Sequence, residues 1–295
     1  MRNSSLAIAG VALSSPSFGF KKDNLPLSFS TLGCPKWSLP EILNFANENG
    51  YDGIEIRGLL GELDLTKCPD FSSNEKISSV KKMLEERQLR IVNLGASAEL
   101  HHPDGEKRKS NIDGAKKFID LAQKLDCPFI RVFPNALPKD QDRNTTLELI
   151  SKGLLELGDY AKGSKVSVLL ETHGDVVETD VVLRIMNNSE NAQVGLIWDI
   201  FNMWSVTKES PAKVYEKLKK YIRHTHIKDA KLIKGDWHYV LLGQGEAPVE
   251  EAVKALVRGE YAGFYCFEWE KLWHPDIDEP EIAIAAYPKQ MKKYF

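Results

Sequence analysis

The chain has 295 residues, of which 42% are hydrophobic and 27% charged, enough apolar sequence for one large core or two small ones. Its 39 basic and 42 acidic residues give a formal net charge of −3, so a cationic surface for nucleic acid or for an anionic membrane is not expected. Four cysteines without CxxC spacing indicate neither a disulfide framework nor a cysteine metal site.

The first residues of the chain differ in composition from the rest. An early arginine precedes an apolar segment from Leu6 to Leu13, and a serine-rich stretch of small residues follows. The segment is too short to span a bilayer, but its order is typical of an export signal. We therefore expect a signal-like or disordered segment over residues 1–24 and one folded domain over residues 25–295. An exported protein is favoured, with a cytoplasmic one as the alternative.

From residue 25 onward, short β-rich apolar runs alternate with longer stretches of helical periodicity. Eight strands are expected, at residues 26–31, 53–57, 90–95, 129–133, 166–171, 194–199, 222–227 and 263–268. Helix candidates lie between them, and the last one falls near residues 279–293. Eight βα units without a Pro- or Gly-rich linker predict a single (β/α)8 TIM barrel. An open doubly wound sheet is disfavoured, because no glycine-rich nucleotide fingerprint follows the first strand.

The last four predicted strands all end on potential metal ligands. These residues are Glu171, Asp199, His226 and Glu268, on strands five to eight in that order. The C-terminal strand ends of a (β/α)8 barrel carry its chemistry, so the four side chains are expected to converge. Three converging carboxylates would repel one another unless a cation or protons offset their charge. The oxygen-rich set with one imidazole predicts one divalent ion, which suits Mn, Mg or Co and also tolerates Zn.

Other polar residues near the strand ends are candidates for substrate contact. His173 follows Glu171 by two residues, Lys228 lies in the loop after strand seven, and Glu55 and Arg57 end strand two. His173 and Lys228 each have an alternative as a surface residue.

Three further histidines are assigned by their position along the chain. His224 lies deeper in strand seven than the predicted ligand, and we expect an interior side chain that packs or orients a neighbour. The stretch AELHHPDGEKRK, with His101 and His102, is interpreted as a mobile polar loop over the barrel mouth.

The stretch LLGQGEAP, which follows strand seven, is interpreted as a turn.

Together these stretches resemble the xylose isomerase-like TIM barrel superfamily of sugar phosphate isomerases and epimerases. The resemblance runs through GYDGIEIRG on strand two, ETHGD, WDIFN, HTHIKD and FEWE, and covers nearly the whole chain from about Leu27 onward. It implies that the four strand-end residues bind one divalent metal and that the two glutamates also act as acid and base. Many members have histidine three residues after the strand-six aspartate. This chain has Asn202 there, which is a further candidate for substrate binding.

The predicted function is a divalent-metal-dependent sugar isomerase or epimerase. A metal chelated by a carbonyl and the adjacent hydroxyl would stabilise the enediolate that forms when the neighbouring C–H loses its proton. Glu171 and Glu268 would take and return that proton. A lyase or dehydratase acting on a keto-polyol with the same site is the enzymatic alternative, and a non-catalytic carbohydrate-binding barrel is the alternative from another class. The expected partner is a small-molecule carbohydrate, with no nucleic acid and no membrane-spanning segment, while the oligomeric state stays open.

Overall fold

Residues 25–295 are described by a computed structural model, and the prediction for residues 1–24 lies outside them. The strands are β1 (Leu27–Ser30), β2 (Gly53–Ile56), β3 (Arg90–Glu99), β4 (Phe129–Phe133), β5 (Ser167–Glu171), β6 (Val194–Asp199), β7 (Ile222–Ile227), β8 (Asp229–Ile233), β9 (Asp236–Val240) and β10 (Tyr265–Phe267). The helices are α1 (Leu39–Glu48), α2 (Asn74–Glu86), α3 (Glu106–Lys124), α4 (Arg143–Tyr160), α5 (Thr179–Asn188), α6 (Ile200–Thr207), α7 (Pro211–Leu218), α8 (Val249–Arg258) and α9 (Pro280–Met291).

The predicted (β/α)8 TIM barrel is confirmed. Eight parallel strands close in the order β1-β10-β7-β6-β5-β4-β3-β2, so the predicted eighth strand corresponds to β10. Helices separate the barrel strands along the chain and pack an apolar stripe against the barrel. In α1 the stripe consists of the buried residues Leu39, Ile42, Leu43 and Ala46, and Pro40 lies in its first turn. None of the helices within residues 25–295 combines the length and the hydropathy needed to cross a bilayer.

Helix α9 packs over the place where the first and last barrel strands pair. Leu27 of β1 aligns with Tyr265 of β10, and the ring of Phe267 stacks on Tyr287 of α9 with 4.6 Å between centroids. The hydroxyl of Tyr51 donates a hydrogen bond to the carbonyl of Ile284 at 2.6 Å. Because the barrel is closed, all eight strands deliver their C-terminal ends to one rim.

A hairpin outside the barrel is absent from the sequence prediction. Strands β8 and β9 pair antiparallel after β7, and Lys234 and Gly235 form their turn with φ angles of 53° and 96°. The carboxylate of Asp229 accepts hydrogen bonds from four backbone N–H groups, including those of Gly243 and Gly245. A Cβ at residue 245 would lie 2.0 Å from Asp229 Oδ1, so only glycine fits. Asp229 therefore holds the turn in LLGQGEAP against the end of β7.

The segment after β3 is packed at its start and exposed over residues 103–107, and its mobility stays a prediction. Strand β3 continues to Glu99, and His101 and His102 are each only 7% exposed. The guanidinium of Arg108, in α3, donates hydrogen bonds to the backbone carbonyls of Leu100 and His102. The side chain of Arg108 therefore fixes the start of this stretch, through contacts that the strand and helix patterns do not reveal.

Candidate active site

The barrel brings the four predicted metal ligands together. Glu171 ends β5, Asp199 ends β6, His226 lies next to the last residue of β7, and Glu268 directly follows β10. One potential ligand atom from each lies within 4.8 Å of the other three, and all four residues are buried. This convergence follows from the closed parallel barrel, which places four neighbouring strand ends on one rim.

Nδ1 of His226 is surrounded by carboxylate oxygens. It lies 3.0 Å from Glu171 Oε1, 3.2 Å from Glu268 Oε1 and 4.0 Å from Asp199 Oδ2. On the other side of the ring, Nε2 lies 2.9 Å from Glu55 Oε2. A carboxylate only accepts hydrogen bonds, so Nε2 is the donor in that contact. Nδ1 is therefore the nitrogen that can bind a metal once it has lost its proton.

Each glutamate turns its second oxygen toward a buried cation. Glu171 Oε2 accepts a hydrogen bond from Arg131 Nη1 at 2.8 Å, and Glu268 Oε2 accepts one from Lys228 Nζ at 2.5 Å. Lys228 Nζ also lies 2.7 Å from Glu270 Oε1. Two cations thus offset part of the negative charge that the strand ends bring together.

These contacts keep both glutamates ionised. Burial alone would raise the pKa of Glu171, but Arg131 and His226 hold it below the usual value for a glutamate. Burial likewise opposes ionisation of Glu268, and His226 and Lys228 lower its pKa nonetheless. Both side chains are therefore in the form that can accept a proton or bind a cation at neutral pH.

Asp199 and His226 hold protons more tightly than usual. Burial raises the pKa of Asp199 to about 7, although Lys228 Nζ lies 2.8 Å from its Oδ2 atom. Burial would lower the pKa of His226, but the carboxylates of Glu268, Glu55 and Glu171 raise it well above its usual value. Without a metal, the imidazole is a cation among carboxylates, and a divalent ion would take over that charge.

The donor set fits one divalent ion. Oδ1 of Asp199 accepts the backbone N–H of Asn202 at 2.7 Å and so caps α6. Oδ2 of Asp199 is buried and accepts no hydrogen bond from residues 25–295, because its contact with Lys228 lacks hydrogen-bond geometry. A buried carboxylate oxygen without a hydrogen bond is costly, and Lys228 compensates it only in part, because the pKa of Asp199 stays raised to about 7 beside that cation. Three carboxylates and one imidazole suit Mn, Mg or Co and tolerate Zn, so these four residues would hold the ion.

A cavity of about 410 Å³, here called the mouth cavity, lies beside the predicted ligands. Its volume is suitable for a small molecule. Glu171 and Glu268 line it, whereas Asp199 and His226 are fully buried and do not. The sequence-predicted substrate contacts in its wall are Arg57, His173, Asn202 and Lys228. Five further polar wall residues escaped the sequence prediction: Arg131, Asn135, Tyr239, Glu270 and His274.

Some of the missed residues carried a signal in the sequence. Arg131 stands inside the apolar run FIRVF, and a charged residue in a buried barrel strand needs a partner inside the protein. Glu270 follows Glu268 by two residues in FEWE. Tyr239 belongs to the hairpin and His274 to the segment after β10, and no strand pattern indicates that either reaches the cavity.

Glu55 lies in a network below the ligands and not in the cavity wall. Its Oε2 atom accepts hydrogen bonds from Asn93 Nδ2 at 2.9 Å, from His224 Nε2 at 3.2 Å and from His226 Nε2 at 2.9 Å. All four residues are fully buried. The structure therefore places Glu55, predicted as a substrate contact, against His226, on the side of the ring away from the three carboxylates. His224 lies in the interior, as the sequence indicated.

His173 is oriented by two successive hydrogen bonds. Its Nδ1 atom lies 2.9 Å from Asn135 Oδ1, and Asn135 Nδ2 donates to Glu99 Oε1 at 2.5 Å. An amide oxygen only accepts, so Nδ1 carries the proton and Nε2 is available to a substrate hydroxyl. Gly174 has a φ of 63°, and a Cβ there would lie 2.1 Å from the carbonyl oxygen of Asn135. The glycine in ETHGD is thus required by the turn that presents His173.

Comparisons with known proteins agree with this architecture. A family model described as xylose isomerase-like TIM barrel matches residues 43–289. No curated protein matches the sequence. At 15–20% identity, the likeness to solved structures shows the fold alone.

Three of the solved structures illustrate that likeness. The IOLI protein with a binding zinc atom has a TM-score of 0.76 and 19% identity, over 92% of this chain and 99% of that chain. D-psicose 3-epimerase from Clostridium cellulolyticum H10 has a TM-score of 0.72 and 17% identity, over 92% and 99%. The probable 3-DHS dehydratase AsbF from Bacillus anthracis has a TM-score of 0.72 and 18% identity, over 91% and 99%.

Proposed function

Because the chain belongs to the xylose isomerase-like TIM barrel family, we propose that it is a divalent-metal-dependent isomerase or epimerase of a carbohydrate. One observation carries the proposal: Glu171, Asp199, His226 and Glu268 bring one ligand atom each to within 4.8 Å of the others. A bound divalent ion would supply the electrophile that polarises a substrate carbonyl and its neighbouring hydroxyl.

The two glutamates are the groups that can move a proton on the substrate. They line the mouth cavity, whereas the other two ligands are fully buried and have no access to a carbon atom of the substrate. Arg131 and Lys228 help to hold Glu171 and Glu268 ionised, which is the state a general base needs. One glutamate takes the proton from the carbon next to the carbonyl. For epimerisation, the other glutamate would first take up a proton from water and deliver it to the opposite face of that carbon, while the first glutamate later releases its proton to water. For isomerisation, the first glutamate would deliver the proton it took to the neighbouring carbon.

Two cavity residues are placed to orient substrate hydroxyls. His173 presents Nε2 as an acceptor, because its Nδ1 proton faces Asn135. Asn202 donates from Nδ2 to the carbonyl of Thr172 at 3.3 Å, which leaves its side-chain oxygen for a hydroxyl donor. Both contacts fix the substrate relative to the glutamates, and a positioned substrate reacts faster than a mobile one.

Two solved neighbours support this assignment. One is a D-psicose 3-epimerase, and another binds a zinc atom. A third is a probable dehydratase, and one observation favours the same chemistry as the second candidate here. Glu270 lies in the cavity wall, and burial raises its pKa although Lys228 lies beside it, a shift in the direction that a general acid for a departing hydroxyl needs.

The proposal is tested in deuterated water. The manganese-loaded protein is incubated with a panel of ketoses and keto-polyols, and NMR follows deuterium at the carbon next to the carbonyl. Exchange with an epimer or isomer as product supports the first candidate, and loss of water with a new double bond supports the dehydratase. Metal binding with neither exchange nor elimination would contradict both and favour a carbohydrate-binding barrel.

A further inference from the structure

Arg57 is a buried guanidinium for which residues 25–295 supply no close counterion. The residue is 6% exposed and lies in the wall of the mouth cavity. Within residues 25–295, no carboxylate oxygen comes within 4.0 Å of its guanidinium, and its one hydrogen bond runs from Nη1 to the carbonyl of Gly95 at 3.5 Å. A buried charge without a partner is unfavourable, so the site is incomplete as the chain alone builds it.

The other two cations of the cavity already have partners. Arg131 donates to Glu171 at 2.8 Å. Lys228 lies within 2.8 Å of Asp199, Glu268 and Glu270. Burial and the neighbouring Arg131 lower the pKa of Arg57 to about 10, while Glu171, Glu268 and Glu55 oppose that shift from longer range. The guanidinium therefore stays positive at neutral pH and lacks a close counter-charge.

The backbone is shaped to admit this side chain. A Cβ at residue 95 would lie 2.7 Å from Arg57 Cδ and 3.3 Å from Arg131 Nη2, so glycine makes room for both arginines. Oγ1 of Thr31 accepts the backbone N–H of Arg57 at 3.0 Å and donates to the carbonyl of Gly58 at 2.7 Å. The end of β2 is thereby fixed where the Arg57 guanidinium reaches the cavity.

We propose that Arg57, with Arg131 beside it, binds an anionic group of the substrate, either a carboxylate or a phosphate. The proposal rests on the proposed function and narrows its substrate class to acidic sugars or sugar phosphates, in place of neutral ketoses. A guanidinium offers parallel N–H donors that match the oxygens of both anions. Arg131 donates from Nη1 to Glu171 and from Nη2 to the carbonyl of Ala96, and only its Nε lacks a partner in the part of the chain that the structure describes. The guanidinium of Arg57 has one hydrogen bond within residues 25–295, so it supplies most of the available donors.

The test starts from anions alone and proceeds to matched sugars. Inorganic phosphate and glycolate are titrated into the manganese-loaded protein by calorimetry. D-fructose, D-fructose 6-phosphate and D-fructuronate follow, since they share a ketose skeleton and differ at the terminal group. The wild-type protein is expected to bind one charged ketose about 10- to 100-fold more tightly than D-fructose, because a charged hydrogen bond is gained. The preferred sugar distinguishes carboxylate from phosphate.

Variants separate Arg57 from the metal, which can itself bind an anion. Arg57→Gln is expected to lose the preference for the charged sugar, and Arg57→Lys to lose part of it, since an ammonium lacks the fork of donors. Arg184→Gln, which removes an exposed arginine on α5, is expected to behave as wild type. Melting curves establish that each variant is folded.

Two results would overturn the proposal. The first is a wild-type protein that binds no anion at millimolar concentration or binds D-fructose as tightly as both charged sugars. The second is unchanged anion affinity in the folded Arg57→Gln variant or, should that variant not fold, in Arg57→Lys. Failure of the proposed function would give a different result. Anion binding would still depend on Arg57, but no sugar of the panel would exchange deuterium.

Discussion

The two ring nitrogens of His226 face two buried polar layers of different character. The upper layer, on the Nδ1 side, consists of Glu171, Asp199 and Glu268, and two of its three carboxylates reach the mouth cavity. The lower layer, on the Nε2 side, consists of Glu55, Asn93 and His224, all of them fully buried. The upper layer can therefore bind a metal and act on a substrate, whereas the lower layer can act only by orienting His226.

The largest expected effect comes from the carboxylates of the upper layer. Glu171→Gln and Glu268→Gln each remove a proton acceptor from the cavity wall with little change of shape. We expect either change to slow deuterium exchange by about 100- to 10,000-fold, the usual contribution of a general base. The exchange rate in deuterated water measures this. Glu148→Gln, on the exposed face of α4, is the control and should exchange as wild type. Exchange within threefold of wild type in both cavity variants would contradict the assignment.

The next largest effect is expected from the lower layer, which should change the affinity for the metal although none of its residues is a predicted ligand. Glu55→Gln leaves the side-chain volume unchanged but weakens the acceptor for His226 Nε2, so the ring is held less firmly as a ligand. We expect manganese affinity to fall by about 10- to 100-fold, as for other residues that orient ligating histidines. Calorimetric titration measures the affinity.

His224→Gln provides the comparison for that experiment. It replaces the imidazole that donates to Glu55 but leaves the contact between Glu55 and His226 in place. The loss of affinity should therefore be smaller than in Glu55→Gln. A larger loss in His224→Gln would mean that the lower layer works through packing and not through the orientation of His226.

Protons released on metal binding report the charge of His226. Its pKa is raised in the metal-free protein, so the ring is cationic at neutral pH and must lose the Nδ1 proton before it can bind an ion. Asp199, whose pKa burial raises to about 7, adds a fraction of a proton. We expect release of about one proton or slightly more per ion at pH 7, and an affinity that falls as the pH falls. Titrations in buffers of different ionisation enthalpy measure the number. Release of none would show that His226 is already neutral.

The smallest effect is expected at Asn202. The backbone N–H of this residue donates a hydrogen bond to the carboxylate of Asp199, and a change of side chain leaves that contact in place. Asn202→Ala should therefore leave manganese affinity within about twofold of wild type and raise the KM for the substrate by several-fold, the cost of one neutral hydrogen bond. A loss of metal binding in this variant would place Asn202 among the groups that position the ligands.

The barrel and the upper layer were predictable from the sequence because both follow from local order. Eight apolar runs in alternation with helical stretches indicate the barrel, and a polar residue at a strand end indicates the rim. Glu171, Asp199, His226 and Glu268 satisfy that rule without any knowledge of their contacts. The rule also misled in one case, because Glu55 stands near the end of β2 and its carboxylate faces the interior.

The rest depends on contacts between residues far apart in the chain. Glu55 and His226 are separated by 171 positions, and no local pattern pairs them. The hairpin is held by Asp229, whose carboxylate collects backbone N–H groups from the turn that follows. Arg131 is a charged residue among apolar neighbours in β4, which indicates a buried partner, but that partner, Glu171, lies on another strand and the local sequence does not identify it.

The most direct test of the account is a titration of the metal-free protein with manganese. The arrangement of carboxylates around His226 Nδ1 predicts one ion per chain, bound at micromolar concentration or tighter, with much weaker binding in Glu171→Gln and unchanged binding in Glu148→Gln. A wild-type protein that binds no divalent ion at that concentration, or a Glu171→Gln variant that binds it equally well, would contradict the central claim.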